Sequence, residues 1–384
     1  MIQFAFWSCV ALCFYVYFGY PLLLKVIGII RRRDVNKKDT TPFISVIIAA
    51  YNEESTITEK LENTLSLDYP KDRLEVVVAS DGSTDSTEEM VRQYEGKGIK
   101  LLSLSRCGKI KSLTDAVDVA KGEVLVFTDA NASLEERALR ELASNFYDPE
   151  VGGVCGNQKY RLEQNPNGDC ASEGENLYWT YDKCIKQLES KLGSTVAADG
   201  SIYAIRKHLF VPMSDPAQAD DFAISARVVT QGYRLVYEPE AVSYESPPSS
   251  SDLEFWRKVR VANQSMNGIL NLREALNPFK YGFYAIELLS HKVLRYLVSV
   301  FLLIAFVINI LLSLDSDFYK IILLFQILFY VLAFMGYKAR NLNLGRIKLL
   351  YGPFYFCLAN TAVLIAALSL IRGDRITTWL PERE

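Results

Sequence analysis

The stretch VLVFTDANAS, Val124 to Ser133, runs four apolar residues into Thr128 and Asp129 and then into Ala130 and Asn131. A short unbroken apolar run that stops at a polar turn reads as a strand buried on both faces, as strands of a parallel sheet are. Two readings of Asp129 are open. The local one is that Asp and Asn favour turns, and that Ser133 with Glu136 has the spacing of a capping box for a following helix. The chemical one is that open α/β sheets bind ligands at the carboxyl ends of their strands.

Working outward, the same pattern repeats. FISVIIAA, Phe43 to Ala50, ends at Tyr51-Asn52-Glu53-Glu54, and a helix follows with Ile57, Leu61 and Leu65 on one face. LEVVVAS, Leu74 to Ser80, ends at Asp81-Gly82-Ser83, and a helix capped by Ser86 and Glu89 follows. IKLLSLS, Ile99 to Ser105, ends near Arg106, ahead of a helix that aligns Ile110, Leu113, Val117 and Ala120. Strands alternating with amphipathic helices predict a doubly wound, mostly parallel sheet flanked by helices. Three of its strand ends carry acids, Glu53, Asp81 and Asp129, and three acids along one sheet edge point to a site.

The chain has neither GxGxxG nor GxxxxGK[ST], the two common phosphate-cradling loops. Carboxylates that face a phosphate need a divalent metal between them; otherwise they must face sugar hydroxyls and base N–H groups. Acids with Mg²⁺ or Mn²⁺ and a few cations fit a nucleotide diphosphate. The cations are at hand: Arg106, Lys109 and Lys111 flank Gly108, and Arg257, Lys258 and Arg260 cluster later.

Half of the 384 residues are apolar, and the net charge of −3 gives no electrostatic footprint for nucleic acid. Seven cysteines show no paired metal spacing: Cys9, Cys13 and Cys357 lie in apolar stretches, and Cys107, Cys155, Cys170 and Cys184 are scattered. Reduced thiols are expected. Met1 to Leu24, Tyr296 to Leu314 and Leu349 to Ile371 carry no charge, and Ile321 to Tyr337 is a shorter uncharged run. About 20 apolar residues span a bilayer, so these segments predict transmembrane helices. The first lacks the basic start of a signal peptide, and Arg31-Arg32-Arg33 follows it. With Lys37 and Lys38, and with His291, Lys292 and Arg295 further on, those arginines place the central domain in the cytosol by the positive-inside rule. Asp315 and Asp317 then fall outside, and Lys338, Arg340, Arg346 and Lys348 inside. Three later spans would leave the tail IRGDRITTWLPERE outside despite Arg372, Arg375 and Arg383. The third or the last segment is therefore either a full span or a hairpin or interfacial helix.

SVIIAAYNEE, VVVASDGSTDST, GKIKSLTDAV and VLVFTDANAS, in this order and spacing, resemble the opening motifs of family 2 glycosyltransferases of GT-A fold. VAADGSIYAIRKHLF resembles the donor- and acceptor-site segment of the membrane-bound, polysaccharide-synthase-like branch, which includes cellulose and hyaluronan synthases. QADDFAISARVVTQGYRLVYEPEA resembles its catalytic-base segment, and FWRKVRVANQS falls where processive members carry Gln-x-x-Arg-Trp. The likeness runs from about Phe43 to Gln264. It implies an α/β GT-A fold, a Rossmann-like sheet, joined to transmembrane helices.

The resemblance also implies roles. Glu53 and Asp81 would face the nucleobase and ribose, with Ala49 and Tyr51 shaping the base pocket and Lys109 on the uridine or phosphate side. Asp129 would open the Asp-x-Asp motif near ribose and metal. Asn131 closes that motif here; an amide oxygen is a weaker metal ligand than a carboxylate. Asp199, Gly200 and Ser201 would line the donor and acceptor sugar pocket. Asp221, supported by Asp220, would take the proton from the acceptor hydroxyl, although acids at a helix start also serve as caps. Arg257 and Arg260 would neutralise the leaving diphosphate, or else lie on an interfacial helix as membrane-surface charges. Arg257 stands where Gln is expected and Val261 where Trp is expected, which weighs against long-chain processivity. Tyr178, Trp179 and Tyr181 would stack on a sugar or pack among helices. The two histidines carry no signal, and His208 reads as a surface residue.

The expected organisation is a transmembrane helix at 1–30, a cytosolic GT-A domain at 43–250, amphipathic interfacial helices at 251–292 and transmembrane helices at 293–375. The expected activity is inverting transfer from a UDP-sugar to a glycan or lipid-linked acceptor at the inner face of the plasma membrane. Membrane lipids and polysaccharide-export proteins are the expected partners. Two alternatives stay open: a non-processive transferase onto polyprenyl phosphate or a glycolipid, and a catalytically dead membrane scaffold that senses nucleotide sugars.

Overall fold

The computed structural model describes residues 1–161, 171–246 and 250–377; Cys170, Pro247 and Arg383 lie outside them. Eight strands form one sheet: β1 (Ile44–Ala50), β2 (Leu74–Asp81), β3 (Ile99–Leu104), β4 (Val124–Phe127), β5 (Ser133–Leu134), β6 (Val151–Tyr160), β7 (Tyr203–Arg206) and β8 (Arg234–Glu245). Their order is β3-β2-β1-β4-β7-β6-β8-β5. The first four pair in parallel, with Ile44 opposite both Leu74 and Val124. β7 runs antiparallel between β4 and β6, and β6 pairs in parallel with β8.

All seven residues of β1 are buried, because helices cover both faces of the sheet. Ile44, Val46 and Ile48 pack on one face with Ile57 and Leu61, Val91, and Leu139 and Leu142. Ile47 and Ala49 point to the other face, with Ile110, Leu113 and Val117 of the Lys109–Val119 helix and Ala223, Ile224 and Val228 of the Asp220–Thr230 helix. The period of two along β1 thus decides which helices meet which side. Parallel strands in register bring the ends of β1, β2 and β4 to one edge, where the acids stand. Gly82 turns the chain after β2 at φ +70°, and a Cβ there would come within 2.7 Å of the Arg106 amide.

Two predicted caps are not built as read. Ser133 lies in β5, paired with Tyr244 of β8, and the next helix starts at Ala138 after Arg137. The Asn63 side chain accepts from the Leu134 amide at 2.7 Å and donates to its carbonyl at 2.8 Å, as a neighbouring strand would. That pairing and the buried Leu134 side chain outweigh a cap. Ser86 stands at the start of the Thr87–Arg92 helix without a side-chain cap bond; the Asp85 carboxylate takes the Thr87 amide at 3.0 Å instead.

Four helices are long and apolar enough to cross a membrane: Ile2–Ile30, Phe283–Ser313, Asp317–Ala339 and Lys348–Ile371. The basic residues after the first are tied to the domain. Arg33 pairs with Glu150 at 2.8 Å, its carbonyl accepts from Arg234 at 2.8 Å, and Lys37 pairs with buried Glu238. The Lys348–Ile371 helix lies along the amphipathic Ser251–Asn271 helix. Phe255 meets Tyr351, Phe354 and Leu358, and Val259 and Ala262 meet Ala362 and Ala366. Beyond its end, the Asp374 carbonyl accepts from Asn263 at 3.3 Å and the Ile376 carbonyl from Gln264 at 3.1 Å.

Candidate active site

The acid-bearing edge opens into a cavity of about 1060 Å³, walled by the domain on one side and by three of the apolar helices on the other. Glu53, Lys109, Asp129, Asn131, Asp199, Gly200, Ser201, Asp220, Asp221, Arg257 and Arg260 all line it. Ala49, Tyr51 and Asp81 do not. Asp81 is fully buried; its carboxylate holds Arg106 and accepts the Cys107 amide at 2.6 Å and the Gly108 amide at 2.9 Å. The Arg106 guanidinium lies 3.4 Å over the Tyr51 ring. These three residues together shape the loop that presents Lys109.

Lys109 is the first residue of its helix, and its ammonium bridges Asp129 at 2.8 Å and Asp220 at 3.2 Å. Burial disfavours that charge, but Asp129 and Asp220 outweigh it and hold the ammonium well above the usual lysine range. Asp129 stands two residues beyond the end of β4, while Asp220 and Asp221 open the Asp220–Thr230 helix, where the dipole favours acids. Asp221 accepts its neighbour's Phe222 amide at 2.7 Å through Oδ1. Its Oδ2 and that of Asp129 both face Gly200: a Cβ there would sit 3.8 Å from the first and 3.4 Å from the second. The missing side chain at Gly200 leaves room between the two acids.

Burial, and then the Asp220 charge, push the Asp221 carboxyl up to about 6. Two carboxylates side by side with different environments are how proteins make one of them a base near neutral pH. Glu245, at the end of β8, is pushed up to about 7 by burial and by Asp129. Burial brings Lys60 down to about 7 against the pull of Asp129 and Glu245. Lys60 donates to Thr128 Oγ1 at 2.7 Å and to the Ala132 carbonyl at 2.6 Å, so it braces both ends of the turn that carries Asp129 and Asn131.

Asp199 is held from behind by fully buried Lys186, which also pairs with Asp182 at 3.3 Å. Asp182 accepts from Arg295 at 3.0 Å and meets His291 at 3.1 Å; the other His291 nitrogen meets Glu189 at 2.8 Å. Tyr20 of the first helix donates to the same Glu189 oxygen at 2.6 Å. His291, without signal in the sequence, is thus a buried link between membrane helices and site, while His208 is on the surface. Lys60, Lys186, Glu189 and Glu245 are also absent from the sequence reading. For Lys60, Lys186 and Glu189 a charged residue on a helix's apolar side would have been the signal; Glu245 ends a strand.

Arg257 pairs with Glu254 at 2.9 Å and donates to Tyr160 at 2.8 Å. Arg260 and Val261 line the cavity one helical turn on, and Trp256 points away from it with about 62% of its surface exposed. Tyr178 stacks under the Arg295 guanidinium at 4.5 Å, and Trp179 packs edge-on to Tyr160.

The donor set suits a hard divalent cation that keeps several non-protein ligands. Asp129 has an open carboxylate oxygen beside Asn131, and further acids, Asp220 and Asp221, line the same cavity. Among the described residues no three His, Cys, Asp or Glu side chains cluster as a protein cage. A cation here would depend on a ligand's phosphates as much as on the chain.

Residues 45–210 match the family model "Glycosyl transferase family 2". Poly-beta-1,6-N-acetyl-D-glucosamine synthase of Staphylococcus aureus (strain COL) is 27% identical over 242 residues, 60% of this chain and 58% of that protein. The synthase of the same name from Staphylococcus epidermidis is 24% identical over 367 residues, 88% of this chain and 87% of the other. The chain thus spans little more than half of the Staphylococcus aureus relative. In fold it is similar to the mannosyltransferase PcManGT from Pyrobaculum calidifontis, solved in complex with GDP-Man and Mn²⁺. The TM-score is 0.75 at 22% identity, covering 97% of this chain and 100% of that one. Residues 45–210 are thus similar in sequence to family 2 glycosyltransferases, and the domain has the GT-A fold, built against a set of apolar helices.

Proposed function

We propose that the protein is an inverting glycosyltransferase that moves a sugar from a UDP-sugar to a glycan or lipid-linked acceptor at the cytosolic membrane face, for cell-surface or exopolysaccharide synthesis. The observation that carries this reading is the Asp221 carboxyl, raised to about 6 and facing Asp129 across the gap that Gly200 leaves.

A hydroxyl is a weak nucleophile until a placed base removes its proton. Asp221 takes that proton as the acceptor oxygen attacks the anomeric carbon, and the bond to UDP breaks on the opposite side. One displacement needs one base and inverts the anomeric centre. Asp220, paired with Lys109 at 3.2 Å, stands beside Asp221 and helps to raise its carboxyl. Asp129, Lys109 and the Lys60-braced turn hold the nucleotide end, and Arg260 and Arg257 lie where charge grows on the leaving diphosphate. A bound Mg²⁺ or Mn²⁺ at Asp129 and Asn131 supplies further charge neutralisation to the diphosphate. UDP release by the purified full chain, given a panel of UDP-sugars and acceptors, tests the reading; no release with any of them rejects it.

The last helix supports a cytosolic tail. It follows the amphipathic Ser251–Asn271 helix along its length, and Arg375 lies 3.6 Å from Asp215 of the domain. An interfacial last helix leaves two crossings after the domain and returns Arg372 and Arg375 to the cytosol, as the positive-inside rule asks. The catalytic domain at 43–250 and interfacial segment at 251–292 then share one side of the membrane.

Val261 favours short or single-sugar products, the non-processive alternative. It faces the cavity without an aromatic face, and Trp256 is turned away from it. A missing aromatic platform under an acceptor sugar weakens its hold by on the order of 1 kcal/mol. Product size by mass spectrometry in a reconstituted assay is expected to show single or few additions. Polymers of many tens of sugars made without release would contradict this.

A further inference from the structure

Lys292 sits at the junction of the cavity and the apolar helices. It lines the cavity from the Phe283–Ser313 helix together with Tyr296, as do Tyr17 of the first apolar helix and Phe356, Ala359 and Val363 of the last. Among the described residues its ammonium makes no hydrogen bond and no ion pair. Its cationic neighbours are engaged: Arg295 with Asp182 at 3.0 Å and the Tyr178 ring, Lys258 with Glu254 at 2.7 Å. Asp182, on the same wall, is already shared by Lys186, His291 and Arg295. A cation on an apolar helix that is bonded to no anion directly leaves its ammonium open to an anion that a ligand brings.

Burial and Asp220 raise the Asp221 carboxyl, and Lys109 and Lys292 pull against them, so the Lys292 charge reaches the proposed base from the helix side of the cavity. The wall around it is aromatic and aliphatic, which suits a hydrocarbon chain better than a second sugar.

We propose that Lys292 receives the phosphate that joins a lipid to the acceptor sugar, with the lipid chain lying among Tyr17, Phe356, Ala359 and Val363. The inference rests on the transferase reading above and names its acceptor class. The phosphate is an anchor and not the nucleophile, because a phosphate oxygen is already anionic and would leave Asp221 without a proton to take. The hydroxyl of the attached sugar loses its proton to Asp221, its oxygen bonds the anomeric carbon, and UDP departs with the electron pair of the broken bond.

The test uses the full chain in neutral phosphatidylcholine vesicles doped with polyprenyl phosphate or with the uncharged polyprenol of the same length. The unaltered chain is expected to bind the phosphate form about tenfold or more tightly, the scale of one charge-assisted contact. Lys292→Gln should erase that preference and Lys292→Arg should keep it, with the UDP dissociation constant the same in all three. Equal binding of the two lipids, or a preference that survives Lys292→Gln, would overturn the proposal. A UDP dissociation constant that rises in Lys292→Gln would also overturn it and assign the lysine to the donor diphosphate. UDP release by the unaltered chain is measured alongside. Release without a lipid preference rejects the acceptor assignment alone, and no release from any UDP-sugar rejects the transferase reading and this one with it.

Discussion

Asp221→Asn is expected to lower sugar transfer by about 10²–10⁴-fold, the usual worth of a placed general base, while the UDP dissociation constant stays nearly unchanged. The amide keeps the shape of the side chain and cannot accept the hydroxyl proton. In the proposed mechanism Asp221 serves the acceptor, so nucleotide affinity should not follow the rate. Collapse of UDP affinity together with turnover would mean that Asp221 holds the donor. The unaltered protein should show the matching pH dependence. A carboxyl raised to about 6 keeps its proton below that pH and is ionised above it. The kcat/KM for transfer should therefore rise with pH through about 6, and Asp221→Asn should lack that limb. A profile flat down to pH 5 would contradict a base with this environment.

Lys186→Met should destabilise the protein by about 3–5 kcal/mol, because it leaves buried carboxylates without their cation. The Lys186 side chain is 2% exposed, and both its partners, Asp182 and Asp199, are buried with it. The double change Lys186→Met with Asp199→Asn should recover a large part of the loss, since it also removes the orphaned charge. Unfolding of the detergent-solubilised full chain reads this directly. Equal losses in single and double variants would mean that the lysine acts through packing alone. Asp199 lies on the cavity wall and Asp182 is tied to His291 and Arg295 of a membrane helix. The same cluster therefore fixes the site against the apolar helices.

Much of the fold could be read from strings of neighbouring residues. Near-continuous apolar runs marked β1 to β4, and helix periodicity placed Ile57, Leu61, Ile110 and Leu113 against them. The acids at strand ends and the Asp220-Asp221 pair were legible because each sits at the boundary of an element. Ser133 misled because the same Ser-to-Glu spacing fits a cap or a two-residue strand; only the distant Asn63 and β8 decide between them. The buried partners were illegible for the same reason. Lys60 meets a turn near residue 130, Lys186 meets Asp199 across a loop, and His291 meets Asp182 and Glu189 from another helix. None of these pairings is marked by local spacing. Asp81 is a subtler case: its place at a strand end was legible, while its commitment to Arg106 and to the Cys107 and Gly108 amides was not.

The proposed transfer turns on one base, Asp221, and one displacement. The anomeric configuration of the product tests that most directly. With an α-linked UDP-sugar as donor, the new glycosidic bond read by NMR from the purified full chain's product should be β. An α-linked product would require two displacements or front-side attack, and would contradict Asp221 as the single base of an inverting transfer.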